Sequence, residues 1–162
     1  MNYTGELSGW GSERETIASL IAAYGLESHI RLSEGTLEDA AAVADTATIS
    51  VVPSQWSEGT SLSAIESIAQ GIPVVATDVG GLPNIVLPGF NGYLCPAITR
   101  KFAVRICELL ENEDEYLRLA HNCLTLRNVF SFERWTAELT KHLTERGIIP
   151  AALDGRTTSV SI

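Results

Sequence analysis

Apolar and polar positions alternate in short blocks along the chain, and the blocks predict strands and helices in turn. Brief apolar runs rich in β-branched residues indicate strands, whereas longer amphipathic stretches indicate helices. The predicted strands cover residues 29–32, 47–52, 74–76 and 92–95, with a further strand directly before Gly9. The predicted helices cover residues 12–23, 36–44, 62–70, 100–110, 113–127 and 131–146, and a short helical segment begins at 80–83. This alternation predicts an α/β protein: a Rossmann-like, doubly wound parallel sheet with helices on both faces.

Capping residues mark several of the predicted helix ends. Ser12 is a candidate N-cap because Glu15 follows it at the capping-box position, and Ser131 is a candidate N-cap for the last helix. Gly71 follows the stretch 62–70 and is predicted to end that helix.

Composition and charge narrow the class of protein. The 162 residues predict one domain that is long enough to bury a core. The 11 basic and 20 acidic side chains give a net charge of −9, which argues against nucleic acid or an anionic membrane as the partner. No apolar run approaches the ~20 residues that a transmembrane helix needs.

The cysteines and the first residues bear on localisation. Cys95, Cys107 and Cys123 are odd in number and irregularly spaced, so we expect free thiols in a reducing compartment and no metal site. Residues 1–6 have neither a basic start nor an apolar core, so we expect no secretory signal and a cytoplasmic protein.

A pair of carboxylates stands where a predicted strand passes into a helix. The strand 47–52 runs into a small polar loop, and Glu58 and Glu66 bracket the start of the helix that follows. Amides at a helix N-terminus favour phosphate, and carboxylates accept hydrogen bonds from sugar hydroxyls. In parallel sheets, ligands bind beyond the carboxyl ends of the strands, where this loop would lie. Taken by themselves, the two glutamates are more typical of solvated surface positions.

The stretch 53–96 resembles the signature region of group 1 retaining glycosyltransferases, which have the two-lobed GT-B fold. The matching pieces are Pro53-Ser54, the pair Glu58 and Glu66, and the runs 69–77, 80–86 and 89–94, with weaker similarity at 9–15, 24–26 and 130–135. The resemblance covers roughly residues 5 to 145 and is to the C-terminal, donor-binding lobe. It implies a lobe at 1–147 that is incomplete at its start, followed by a loose tail at 148–162.

The resemblance also implies roles for the two carboxylates. Glu66 matches the residue that holds the ribose hydroxyls of the nucleotide. Glu58 matches the catalytic-site carboxylate that contacts the donated sugar near its anomeric centre. The donor is then a nucleotide-diphosphate sugar, and the resemblance implies no metal and no other cofactor.

Backbone contacts to the donor are implied at two places. Thr60, Ser61 and Leu62 match the positions whose amides face the diphosphate, although many relatives carry an aromatic residue and a glycine at the first two. Gly9 and Gly11 match a turn that lines the nucleotide side, and a tight turn without a ligand explains them equally well.

Family members carry an N-terminal acceptor-binding lobe, and the first strand of their C-terminal lobe supplies an arginine and a lysine that grip the diphosphate. Neither feature has a counterpart in this sequence. We therefore expect the donor-binding portion of a hexosyltransferase that acts on a glycan or lipid-carrier acceptor and is inactive alone. The alternatives are a non-catalytic nucleotide-sugar binding module and a degenerate interaction domain. A nucleotide-sugar epimerase of the same fold matches the glutamate pair less well.

Overall fold

The computed structural model describes residues 3–34, 46–56 and 58–150. Its strands are β1 (Gly5–Ser8), β2 (Ile30–Ser33), β3 (Ser50–Val52), β4 (Val74–Thr77) and β5 (Gly92–Cys95). Its helices are α1 (Arg14–Ala23), α2 (Leu62–Gln70), α3 (Thr99–Glu111), α4 (Glu113–Thr125) and α5 (Phe132–Glu145), with a 3₁₀ turn at Leu82–Asn84. The predicted helix 36–44 and nearly all of the predicted tail lie outside the described residues.

All strand pairs are parallel, which confirms the predicted α/β class. β1 pairs with β2, and β3, β4 and β5 pair in that order. Val51 lies opposite Val75, which in turn lies opposite Tyr93. The five strands form two separate sheets, however, where the sequence predicts one continuous sheet.

The core surrounds β4, whose four residues are all buried. On one face, Val74 and Ala76 pack with α2 and the 3₁₀ turn, in a cluster that includes Ile68 and Leu82. On the other face, Val75 packs with α3 and α4 in a second cluster. Helices therefore cover both faces of the three-stranded sheet, as predicted. By contrast, none of the residues of β1 or α1 is buried.

The boundaries of α2 and β5 agree with the sequence prediction, and those of β3 differ. β3 begins at Ser50, three residues later than predicted. The amide of Ser50 donates to the carbonyl oxygen of Pro73 (3.0 Å), and Pro73 directly precedes β4. Because proline has no N–H, it cannot donate the bond that would extend the ladder backwards.

The predicted helix caps had mixed outcomes. Ser131 caps α5, because its Oγ accepts a hydrogen bond from the Arg134 amide at 3.2 Å. Gly71 ends α2 in the left-handed region with φ of 86°. The prediction for Ser12 was wrong: α1 has Glu13 at its N-cap, with no side-chain cap. The turn is closed instead by the backbone, since the Arg14 amide donates to the Gly11 oxygen at 3.3 Å.

The three cysteines are free thiols, as predicted. Cys95 and Cys123 are buried, and Cys107 is exposed. Burial raises the pKa of Cys123 to about 12, and its Sγ donates to the carbonyl oxygen of Asn91 at 3.4 Å. None of the helices in the described ranges has the length and apolar character that crossing a bilayer requires.

Asn91 is fully buried and stabilises the turn that leads into β5. Its Oδ1 accepts from the Leu87 amide at 2.7 Å, and its Nδ2 donates to the Ile85 oxygen at 2.9 Å. Both ends of one side-chain amide are therefore satisfied by backbone groups of the same turn.

We predict that Asn91→Ala lowers the free energy of unfolding by about 1–3 kcal/mol, because it leaves buried backbone groups without partners. Asn84→Ala is the control, since Asn84 is exposed, and it should change stability by less than about 0.5 kcal/mol. Urea denaturation followed by circular dichroism measures both. Equal effects of the two substitutions would contradict this role of Asn91.

Candidate functional site

Two loops meet at the carboxyl ends of neighbouring strands. The loop that follows β3 leads through Glu58 to α2, and the loop that follows β4 leads through Gly80 and Gly81 to the 3₁₀ turn. β3 and β4 are parallel partners, so both loops emerge on the same edge of the sheet. This is the edge at which the sequence places the candidate site.

The carboxylate of Glu58 is held from the side of β3. The Ser54 hydroxyl donates to Oε2 of Glu58 at 2.6 Å. The Thr77 hydroxyl in turn donates to the carbonyl oxygen of Ser54, also at 2.6 Å. Thr77 is buried at the end of β4, so the chain of bonds connects Glu58 to the rigid centre of the sheet.

The backbone of Glu58 is held from the side of β4. The Gly81 amide donates to the Glu58 carbonyl oxygen at 2.8 Å. Gly80 has φ of 55°, and a Cβ atom placed on it would overlap the backbone of Glu58. A Cβ on Gly81 would overlap the carbonyl oxygen of Gly59. The two loops therefore touch backbone to backbone, and only glycine fits at either position.

The start of α2 presents amides that its own N-cap side chain does not satisfy. Ser61 is the N-cap, but its hydroxyl caps no amide and lies 3.2 Å from the Ser63 hydroxyl. Ser61 itself is buried, whereas Thr60 and Leu62 on either side are exposed. The first amides of a helix lack intrahelical partners and carry partial positive charge, so this turn suits an anion.

Glu66 is the fifth residue of α2 and is exposed. The ion pairs found among the described residues do not include it. Its carboxylate is thus accessible to a ligand, and it lies about one helical turn beyond the N-terminus of α2. Trp56, which precedes Glu58 in the same loop, is 83% exposed.

Gly9 and Gly11 lie in the turn after β1, at the edge of the other sheet. Gly9 has φ of 143°, and its amide donates to the Ser33 oxygen at 3.0 Å. No described hydrogen bond joins this turn to the loop at 58–62. Glu58 and Gly59 contact the glycines after β4, and Thr60, Ser61 and Leu62 follow them directly in the chain. After the turn at Gly9, Arg14 pairs with Glu34 at 3.4 Å, as suits a surface helix residue.

The sequence interpretation missed the support around Glu58. Thr77, Gly80 and Gly81 carried no predicted role in the site beyond lying in runs that resemble the family. The four-residue spacing from Ser54 to Glu58 is a signal for a local hydroxyl–carboxylate bond. The contact with Gly81 joins residues from separate loops, so no local pattern reveals it.

We predict that Gly81→Ala destabilises the protein by about 1–3 kcal/mol, because the added methyl group overlaps the Gly59 carbonyl. Gly81 has φ of −86°, so the effect is one of packing and not of backbone conformation. Gly59→Ala is the matched control, because a Cβ there has open space. Chemical denaturation measures both, and backbone amide shifts at 58–62 should move in the Gly81 variant only. Comparable stability of the two variants would contradict the close approach of the loops.

Curated relatives are identical to this chain at about a third of the aligned positions. An uncharacterised glycosyltransferase of Methanocaldococcus jannaschii is 32% identical over 136 residues, covering 83% of this chain and 38% of the relative. D-inositol 3-phosphate glycosyltransferase of Corynebacterium efficiens is 32% identical over 159 residues, covering 91% of this chain and 37% of the relative. The chain thus spans less than two fifths of these relatives.

Solved structures match the fold over most of the chain. Sucrose-phosphate synthase from Thermosynechococcus elongatus matches with a TM-score of 0.77 and 27% identity, over 88% of this chain and 38% of that one. The Anabaena protein HepE, solved with UDP, matches with a TM-score of 0.76 and 21% identity, over 88% of this chain and 41% of that one. A C-terminal domain of a group 1 glycosyl transferase from Francisella tularensis matches with a TM-score of 0.62 and 25% identity, over 72% of this chain and 61% of that one.

The family model described as "Glycosyl transferases group 1" matches residues 5–123. This range includes β1 to β5, the Glu58 loop, the glycines after β4 and the start of α2. The match agrees with the GT-B structures that share the fold. The chain therefore belongs to the group 1 glycosyltransferase family.

Proposed function

We propose that this chain is the donor-binding portion of a retaining glycosyltransferase, which transfers a hexose from a nucleotide-diphosphate sugar to a glycan or lipid-carrier acceptor. We further propose that the chain transfers no sugar without an acceptor-binding lobe and that it works in the cytoplasm. The free thiols and family membership support these assignments.

The observation that carries the proposal is the tethered Glu58 loop at the N-terminus of α2. Its carboxylate is held by Ser54 and its carbonyl by Gly81, immediately before a helix start that suits an anion. A diphosphate on the α2 amides would place a sugar on the Glu58 side, and Glu66 would accept hydrogen bonds from ribose hydroxyls. HepE, a structural neighbour, has been solved with UDP-glucose.

Retaining transfer places the new bond on the same face of the sugar as the old one. In the proposed reaction, Glu58 orients the sugar hydroxyls near the anomeric carbon, and the departing diphosphate helps to deprotonate the acceptor. The barrier then falls mainly through orientation and through stabilisation of the leaving group by the α2 amides. Because the Glu58 carboxylate is already held in place, it can orient the sugar without reorganising when the donor binds.

The charge of the chain agrees with the expectation that it is inactive alone, which rests on the missing acceptor-binding lobe. A nucleotide diphosphate needs cations to offset its charge, and this chain carries a net charge of −9. Arg14, a cation on the first helix, is already paired with Glu34. We therefore assign the remaining diphosphate contacts to the first strand of a complete C-terminal lobe. The acceptor site belongs to a further lobe, which would also exclude water from the reaction.

We predict different effects of the two glutamates on ligand binding, measured by isothermal titration calorimetry with UDP, UDP-glucose, GDP and GDP-mannose. Glu66→Gln should lower the affinity for the free nucleotide and for the nucleotide-sugar about equally, by about tenfold or 1.4 kcal/mol. Glu58→Gln should lower the affinity for the nucleotide-sugar and leave the affinity for the free nucleotide unchanged. Glu138→Gln, an exposed position on α5, is the control and should change neither.

Three outcomes separate the alternatives. Binding with this pattern, and no product from a panel of donors and acceptors, supports donor binding, and product that appears only after an acceptor-binding lobe is added distinguishes the transferase portion from a non-catalytic binding module. Product formed by the purified chain alone contradicts the predicted need for a second lobe. No binding at millimolar ligand contradicts donor binding itself and leaves the degenerate interaction domain.

A further inference from the structure

Trp56 lies in the loop that carries Glu58, and its side chain is open to solvent. It is 83% exposed, and within the described ranges no hydrogen bond or ring contact holds its indole. Burial of a tryptophan side chain is one of the larger apolar gains that a fold can make, and this fold does not make it here. Exposure alone assigns no role, however, because Trp10 is 87% exposed. A role for Trp56 depends on how its loop is held.

The backbone on both sides of Trp56 is bonded to β4 or to the loop that follows it. The Ser54 carbonyl oxygen accepts from the Thr77 hydroxyl at 2.6 Å, and the Glu58 carbonyl oxygen accepts from the Gly81 amide at 2.8 Å. The Ser54 hydroxyl also donates to Oε2 of Glu58 at 2.6 Å, which closes the loop at its base. Trp56 stands midway between these two bonded residues. Its indole is therefore exposed on a loop whose two ends are fixed.

Trp10 has weaker support. The Gly9 amide before it donates to the Ser33 oxygen at 3.0 Å, whereas the Gly11 oxygen after it bonds only within its own turn. The strand that leads into this turn, β1, has no buried residue. A surface that is ordered before the ligand arrives loses less entropy on binding. Of these two exposed indoles, that of Trp56 is the better suited to hold a ligand.

The neighbours of Trp56 in its loop are polar. Gln55 and Glu58 offer amide and carboxylate groups on either side of it, and Gln55 is exposed. An apolar ring face between polar groups matches a pyranose ring, which presents C–H groups on one face and hydroxyls around its rim. Protein partners instead use contiguous apolar patches, such as the exposed, stacked rings of Phe132 and Trp135 on α5. The surroundings of Trp56 therefore favour a sugar.

The order of groups along the chain indicates which sugar would lie there. In the proposed function, the diphosphate lies on the first amides of α2, Glu66 holds the ribose, and the donated sugar lies beside Glu58. Trp56 precedes Glu58 by two positions and is thus one step further from α2 along the chain. Two residues span up to about 7 Å, which is roughly the length of one hexose unit. The ring next to Trp56 is then the one beyond the donated sugar, which belongs to the acceptor.

We propose that Trp56 is a stacking platform for a pyranose ring of the acceptor, so that this chain supplies one wall of the acceptor site. The other acceptor contacts stay with the further lobe. The platform narrows the class of acceptor to one with a sugar ring next to the attacking hydroxyl. A glycan or a glycosylated lipid carrier has such a ring, and a bare lipid carrier does not. The assignment to the acceptor rests on the proposed function, whereas sugar binding by Trp56 does not.

NMR of the isotopically labelled chain tests the platform, because the indole N–H signals report Trp10, Trp56 and Trp135 separately. The full chain is titrated with methyl α-glucopyranoside and methyl α-mannopyranoside, first without nucleotide and then with UDP. The Trp56 signal should shift with at least one of them, with an affinity in the millimolar range, and the other two signals should stay in place. Glycerol, which has hydroxyls but no ring face, is the matched control ligand and should shift none of them.

Trp56→Ala removes the platform and should lower the affinity for the pyranoside by about tenfold or more, followed through the ligand's own NMR signals. Trp56→Phe keeps an aromatic face and should retain most of the binding. Trp10→Ala removes an equally exposed indole and is the matched control, which should bind like the wild type. Because both positions are exposed, all three variants should fold, and thermal unfolding checks this.

Several results would overturn the platform. These are no Trp56 response to either pyranoside, an equal response to glycerol, an equal response at Trp10, and unchanged binding by Trp56→Ala. Loss of the response when an acceptor-binding lobe is added would show that protein covers Trp56 instead. A shift with UDP alone would indicate stacking of the base, and a shift with UDP-glucose but neither pyranoside would indicate the donated sugar. Both would contradict the assignment to the acceptor.

UDP binding is measured in parallel to keep the two proposals distinct. A Trp56 response to a pyranoside without UDP binding supports the platform and contradicts donor binding. UDP binding without that response contradicts the platform alone.

Discussion

The candidate site depends on the contact between two backbones, where the loop after β4 meets the loop after β3. Gly81 donates its amide to the Glu58 carbonyl oxygen, and the two loops approach so closely that a side chain at Gly80 or Gly81 would overlap its neighbour. This contact fixes where the backbone of Glu58 lies. The bond from Ser54 then fixes one oxygen of its carboxylate. A site that must orient a flexible ligand benefits from such support, because the ordering is complete before the ligand arrives.

That support is anchored in the best-packed part of the molecule. β4 is buried throughout, and Thr77 at its end bonds to the Ser54 carbonyl oxygen. The helix α2, whose N-terminus faces the loop, packs with β4 through Ala64 and Ile68. The turn at Gly9 stands instead on β1, which has no buried residue and an open edge. The elements that support the two parts of the predicted site therefore differ in how deeply they are buried.

The sequence predicts elements well where local signals bound them. The limits of α2 and β5 agree with the prediction because Gly71 ends the helix and a glycine turn precedes the strand. The prediction fails where a residue that is distant in the chain sets the end of an element. Pro73, which directly precedes β4, limits how far β3 extends toward its N-terminus. Hydrophobic periodicity also does not predict the division into two sheets, because that division depends on which strands pair and not on the pattern within each strand.

The same distinction applies to the site. Glu58, Glu66 and the helix start can be predicted from residue types and spacing, together with the family resemblance. The contacts of Thr77 and Gly81 cannot, because Thr77 bonds to Ser54 and Gly81 bonds to Glu58, each across 23 positions in the chain. Local chemistry identifies candidate ligand contacts, whereas the tertiary fold decides which of them are held in place.

Amide hydrogen exchange at Gly81, followed by NMR in the chain without ligand, tests most directly whether the Glu58 loop is held before a donor binds. Gly59 provides the comparison within the same chain, because it is exposed and directly follows Glu58. The account predicts that the Gly81 amide exchanges on the order of a hundredfold more slowly than that of Gly59, after correction for intrinsic rates. Equal exchange rates at the two glycines would contradict a preformed loop.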